Sequence, residues 1–212
     1  MLEQSIRPLY QSLLVEPAVR WIGHRIDPFA ITVLAGILGL LFIPALLLNY
    51  PLAAIALLLA SGYCDTLDGT LARFQKNTTA LGTVLDIVMD RFVEFSTLLG
   101  LYLLAPNTRA LATIFMLGSI LFCITSFLVV GIFTPNNSDK SFHYSPGLME
   151  RAEAFSFFIV MVLIPHYFNL LAWIFSFLVC LTAGIRLKQF AQGQKKLNLI
   201  VNIPQNSELQ KK

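Results

Sequence analysis

The chain has 212 residues, of which 56% are hydrophobic and only 13% charged, with a mean hydropathy of +0.71. A soluble domain carries about 25% charged residues, so this composition excludes an ordinary water-soluble domain and points to lipid as solvent. The net charge of +3 is unremarkable until the charges are placed, and the three cysteines, all inside apolar runs and without a CxxC pair, imply neither a disulfide framework nor a zinc site.

In chain order, residues 1–28 mix Leu9, Leu13, Leu14, Val19, Trp21 and Ile22 with Arg7, Arg20 and Arg25. That pattern predicts an amphipathic helix lying in the membrane interface, interrupted by Pro8 and Pro17. No cleavable signal is expected, because the first long apolar run begins only at Phe29 and lacks a small-residue cleavage pattern. A bilayer core needs about 20 apolar residues per helix, and six stretches are candidates. Residues 29–48 and 110–133 are nearly uninterrupted; 51–63 runs on into an acidic cluster. The stretch 82–104 is long enough but carries Asp86, Asp90, Arg91 and Glu94; 154–164 is short and is expected to start earlier, near Leu148, after a Pro146-Gly147 bend; 168–185 completes the set. The expected fold is thus all-α: six transmembrane helices across 29–190 after the interfacial helix, then a polar tail over 191–212.

Charge supports the count. With six spans, the connections after spans one, three and five contain a single basic residue, Arg109, whereas the other fourteen of the fifteen Lys and Arg fall on the opposite side. The positive-inside rule then predicts an integral protein of the cytoplasmic membrane with both termini and the acidic cluster facing the cytoplasm.

An ionisable residue within lipid costs about 2.5–3.5 kcal/mol on insertion scales, so those that persist usually act. Asp65 and Asp68 are three residues apart, and Asp86 and Asp90 four apart, spacings that put each pair on one helical face. Four carboxylates facing one another repel unless cations neutralise them, and an all-oxygen set suits Mg²⁺ first and Mn²⁺ or Ca²⁺ next. Gly69 and Gly82 allow close approach of a substrate, Ala72 is small, and Arg73 offers a planar donor fork suited to phosphate. Together they predict a metal-assisted diphosphate site. Glu94 continues the face of Asp86 and Asp90, as an outer support or as a partner of Arg91. His24, His143 and His166 show no ligand spacing.

The run Asp65-Thr-Leu-Asp68-Gly69-Thr-Leu-Ala72-Arg73, followed by Gly82, Asp86 and Asp90, resembles the signature D-x-x-D-G-x-x-A-R…G-x-x-x-D-x-x-x-D of the CDP-alcohol phosphotransferase (phosphatidyltransferase) family, with every fixed position present. The resemblance implies that Asp65, Asp68 and Asp86 are metal ligands, and that Asp90 is the catalytic base with a metal contact. It implies that Gly69, Ala72, Arg73 and Gly82 accept the CDP moiety. The cofactor expected is Mg²⁺ (or Mn²⁺), two ions. The reaction implied transfers a phosphatidyl group from CDP-diacylglycerol to a small polar alcohol, releasing CMP, in a homodimer and without nucleic acid. Gly118, Ser119 and Ser126 would permit close helix contact, within or between subunits.

For the acceptor, Lys140, Arg151 and Arg186 at helix ends are candidates to hold a phosphate. Arg151-Ala-Glu153 and Leu181-Thr-Ala183 with Arg186 resemble phosphatidylinositol phosphate synthases, as does the Asp27-Pro28 start of span one with Thr32 following. Met149-Glu150 departs from their pattern by one positive charge. A phosphorylated polyol, inositol phosphate or glycerol phosphate, is the expected acceptor, with serine next. An Asp-rich prenyltransferase would need a second, separated Asp cluster, and an ion-coupled transporter would show mid-membrane charges and repeated halves; the sequence offers neither.

Overall fold

A computed structural model describes residues 9–134 and 148–201, with side chains described to residue 194. Lys140, His143 and the Pro146-Gly147 bend lie outside the described residues, as does the chain beyond 201. Every regular element among the described residues is helical. A π-helical turn, Gln11–Val15, runs into α1 (Glu16–Ile22), followed by α2 (Pro28–Leu47), α3 (Pro51–Phe74), α4 (Ala80–Leu103), α5 (Pro106–Phe133) and α6 (Arg151–Leu163). A 3-10 turn, Pro165–Tyr167, then opens α7 (Phe168–Val201).

Local chemistry sets the boundaries. Proline occupies the first position of α2, α3 and α5, where its missing N–H costs no intrahelical bond. Asp27 caps α2 by accepting from Phe29 N at 3.1 Å, and Thr79 caps α4 by accepting from Gly82 N at 3.0 Å. Between α2 and α3 the chain reverses through Asn49 at φ 63°, a conformation asparagine tolerates. Pro17 does not interrupt the N-terminal helix as the sequence suggested. It sits in the first turn of α1, where the preceding π-helical turn absorbs the change.

Four segments are long and apolar enough to cross a membrane: Pro28–Leu47, Pro51–Phe74, Pro106–Phe133 and Pro165–Gln194. The helix α4 has the length but carries Asp86, Asp90, Arg91 and Glu94, and α6 has 13 residues, well under the span of a bilayer core. It starts at Arg151, a turn later than Leu148. The last helix runs unbroken past residue 190 to Val201.

Two apolar clusters hold the elements. One joins α2 through α7 around Phe42, Leu58, Leu101, Met116, Phe158 and Phe175. The second seats α1 on α2 and α3 through Val15, Val19, Ile31, Ala35, Leu67 and Leu71. Hydrogen bonds reinforce this seat: Gln75 Nε2 donates to the carbonyls of Gly23 and Ile26 at 2.8 and 3.0 Å, and Tyr63 donates to Leu14 O at 3.0 Å. Leu13, Leu14 and Trp21, by contrast, point outward and are exposed.

Glycines bring α2 and α4 close together. A Cβ on Gly39 would lie 2.6 Å from Val93 Cγ2, and one on Gly36 would lie 2.8 Å from Met89 Sδ. At the far end of α4, Gly100 faces the Phe42 ring, where a Cβ would come within 3.0 Å. Beyond that, Arg109 is buried, donates to Leu101 O at 2.7 Å and Pro165 O at 3.4 Å, and stacks over Phe168 at 4.4 Å. The sequence marked Arg109 only as a stray cation; it ties α4, α5 and the start of α7 together at the end opposite the acids.

Candidate metal centre

Where α3 ends and α4 begins, the paired spacings deliver their carboxylates to one place. Each of Asp65, Asp68 and Asp86 offers an oxygen, and the three lie within 4.8 Å of one another. Mg²⁺ holds oxygens at about 2.1 Å in an octahedron, which puts ligand pairs about 3 to 4.2 Å apart. The separations and the all-oxygen donor set therefore fit a hard divalent cation after small side-chain adjustments.

Asp65 and Asp86 are half-buried, and Asp68 lies deepest. Asp68 is 4% exposed, and its Oδ2 accepts a 2.5 Å hydrogen bond from Thr32 Oγ1 in the first turns of α2. Arg151, the first residue of α6, ion-pairs through Nη1 with both Asp65 and Asp90. Asp90 thus meets the other acids through a shared guanidinium. Its second oxygen lies 3.8 Å from Arg91 Nη2, and Arg91 in turn binds Glu94 Oε2 at 2.6 Å. Glu94 is buried, and its pairing with Arg91 fits the i+3 spacing seen in the sequence.

The remaining predicted residues divide between cleft and scaffold. Arg73 is exposed one helical turn beyond Gly69 and donates from Nη2 to Thr70 Oγ1 at 3.1 Å. A Cβ on Gly69 would sit 3.6 Å from the Arg73 guanidinium, an ordinary contact distance. Gly82 is spent partly on the α4 cap, and Ala72 accepts from Asn77 N at the helix end at 2.9 Å. Arg186 is buried between α5 and α7: Nη1 donates to Cys123 O at 3.0 Å and lies 3.2 Å from Ser126 Oγ. Sequence reasoning missed two contacts, the Thr32 bond to Asp68 and the Arg151 bridge across Asp65 and Asp90. Both link residues far apart in the chain; Thr32 was marked only by its family-like stretch, and Arg151 by its stretch and its charge at a helix end.

Apolar membrane-crossing helices that carry an oxygen-only cluster, with arginines at its edge, define a membrane protein built to handle a charged, phosphate-bearing group at the lipid boundary. Residues 26–185 match the CDP-alcohol phosphatidyltransferase family. The chain belongs to that family and is a phosphatidyltransferase, which bears out the resemblance carried by the aspartate motif. It is 33% identical to the inner membrane protein YnjF of Escherichia coli over 194 residues, covering 88% of this chain and 93% of the relative. It is 30% identical over 105 residues to the bifunctional IPC transferase and DIPP synthase of Archaeoglobus fulgidus, covering 50% of this chain and 21% of that protein. The crystal structure of Mycobacterium tuberculosis phosphatidylinositol phosphate synthase (PgsA1) with CDP-DAG bound shares the fold. Its TM-score is 0.70 at 18% identity, over 84% of this chain and 93% of that one.

Proposed function

We propose that the protein transfers a phosphatidyl group from CDP-diacylglycerol to a phosphorylated polyol, inositol phosphate or glycerol phosphate, and releases CMP. The observation that carries this reading is the convergence of Asp65, Asp68 and Asp86 within 4.8 Å, with Arg151 drawn onto the same cluster. Asp65, Asp68 and Asp86, with Asp90 at the edge, would hold Mg²⁺ or Mn²⁺, two ions in all. When bound, such ions supply Lewis acidity and neutralise the diphosphate.

The chain's own residues supply the rest. Gly69, Ala72, Arg73 and Gly82 receive the cytidine diphosphate, with the exposed Arg73 fork toward phosphate oxygens. Asp90 takes the proton of the acceptor hydroxyl as its oxygen forms a bond to the lipid-linked phosphorus. The bond from that phosphorus to the CMP oxygen breaks. Arg151 leaves its carboxylate partners to meet the acceptor phosphate, with Arg186 and Lys140 as further candidates. A phosphorylated acceptor is favoured by this cationic edge and by the names of the structural neighbour, a phosphatidylinositol phosphate synthase, and of the Archaeoglobus relative, a bifunctional IPC transferase and DIPP synthase.

The same reading carries six spans, with α4 and α6 completing the four apolar segments, and α1 in the interface with Trp21 and Leu13 toward lipid. It places the protein in the inner membrane, as in the name of the Escherichia coli relative, with both termini and the acids in the cytoplasm. The working unit is a homodimer. Ser119 and Ser126 are buried within the subunit, whereas a Cβ on Gly118 would meet nothing within 4 Å, which leaves that surface of α5 open to a second copy.

The test is CMP release from CDP-diacylglycerol by the purified chain in detergent, with glycerol 3-phosphate, inositol phosphate, inositol and serine supplied in parallel. Turnover should need a divalent ion and yield a new lipid with a phosphorylated polyol. Turnover unaffected by chelation would end the metal reading. Reaction with serine or free inositol alone would end the phosphate-pocket reading of Arg151.

A further inference from the structure

We infer that Thr32 is a positioning residue for the metal centre: its hydroxyl fixes the Asp68 carboxylate so that one oxygen remains aimed at the cation. The inference rests on the metal-dependent reading above. Thr32 is 6% exposed and Asp68 4% exposed, and they belong to different helices, 36 residues apart in the chain. A hydroxyl has one proton to give. Thr32 Oγ1 lies 3.2 Å from Pro28 O, the ordinary back-bond of a helical threonine, and 2.5 Å from Asp68 Oδ2. The carboxylate acceptor assigns the proton to Asp68, because charge-assisted bonds are roughly twice as strong as neutral ones.

The consequence is orientational. A carboxylate has two oxygens, and a buried aspartate with neither one held can rotate its pair away from a shared ligand position. Thr32 ties down one oxygen from the α2 side, while Asp65 and Asp86 approach from α3 and α4. The helix that supplies Thr32 is itself held to both partners. Ser61 Oγ on α3 donates to Ala35 O at 2.8 Å, and Gly36 and Gly39 bring α2 onto α4. Thr32 therefore has little freedom to follow a wandering carboxylate. Partners that orient metal ligands typically cost about 10- to 100-fold in metal affinity when removed.

The test uses the full chain in detergent and Mn²⁺ as the probe, with free Mn²⁺ read by electron paramagnetic resonance. Thr32→Val keeps the branched shape and deletes the hydroxyl; Thr32→Ser keeps the hydroxyl. Mn²⁺ affinity should fall about 10-fold or more in Thr32→Val and stay within about twofold in Thr32→Ser. The Mn²⁺ concentration for half-maximal CMP release should shift in parallel, and helix content without metal should match the wild type. A double-mutant cycle closes the argument: in an Asp68→Asn background, Thr32→Val should cost nothing further in Mn²⁺ affinity. Wild-type Mn²⁺ affinity in Thr32→Val, or an equal loss in the Asp68→Asn background, would overturn the inference. In both cases Mn²⁺ binding by the wild-type chain would leave the metal-dependent reading standing. No Mn²⁺ binding by the wild type would overturn both.

Discussion

Gly39→Ala should damage the enzyme from a position that touches no substrate. The added Cβ would lie 2.6, 2.9 and 3.1 Å from Val93 Cγ2, Cγ1 and Cβ, where carbon atoms prefer about 3.5–4.0 Å. Val93 is 1% exposed and β-branched on a helix, so its rotamer is largely fixed and the helices themselves must part by up to about 1 Å. Overpacking of this kind costs about 1–3 kcal/mol. Val93 follows Asp90 by less than one turn of α4, so the same displacement moves Asp90 and Asp86 against Asp65, and a 1 Å misplacement can cost about 10²-fold in rate. Thermal unfolding in detergent and CMP release read the two effects separately. Gly36→Ala provides the contrast, since its 2.8 Å clash is with Met89 Sδ, on a side chain flexible enough to turn aside. Adding Val93→Ala to Gly39→Ala removes two of the three clashing atoms and should restore most of the loss. Wild-type stability and turnover in Gly39→Ala would refute the claim that the α2–α4 approach sets the acid geometry.

Four further outcomes are expected. Asp90→Asn should lower turnover by about 10²- to 10⁴-fold, the usual share of a general base, while circular dichroism shows the fold unchanged. Mn²⁺ at about 100 times its dissociation constant should stabilise the chain by about 2.7 kcal/mol; a chelator should reverse the rise in melting temperature, and Asp65→Asn or Asp86→Asn should abolish it. Arg109→Met should lower stability by about 2–3 kcal/mol through the orphaned carbonyls of Leu101 and Pro165, with Mn²⁺ affinity unchanged by paramagnetic resonance. In a background without the native cysteines, an impermeant maleimide applied to intact cells should label a cysteine at Asn107. One at Lys76 should react only after permeabilisation.

The parts legible in the sequence were those written in local spacing. Asp65 with Asp68, and Asp86 with Asp90, fall three and four residues apart, so helical geometry alone aligns each pair, and the Arg91–Glu94 contact follows from the same rule. The Asp27-Pro28 pair marked the start of the first span for an equally local reason. Contacts between distant segments were hidden. Thr32 is an unremarkable threonine in an apolar run until α2 packs beside α3. Arg151 was legible as a cation at a helix end, but its place between Asp65 and Asp90 was not, because only the packing of α6 brings it beside those desolvated carboxylates. Arg109 entered the sequence reading only as the one cation counted on its side of the membrane, because hydropathy registers a cation without registering the carbonyls that satisfy it. Pro17 looked like a break because a proline rule applied residue by residue does not see the wider turn that precedes it.

The 34 residues of α7 rise about 51 Å at 1.5 Å each, against a hydrocarbon core of about 30 Å. With α7 upright in the bilayer, about 20 Å of continuous helix would stand outside the oily slab as a stiff lever. Its fulcrum is near Arg186, pinned to α5 through Cys123 and Ser126. Any force on the protruding arm, from headgroups or from a neighbouring protein, would be felt first at that pin rather than dissipated in a slack tail.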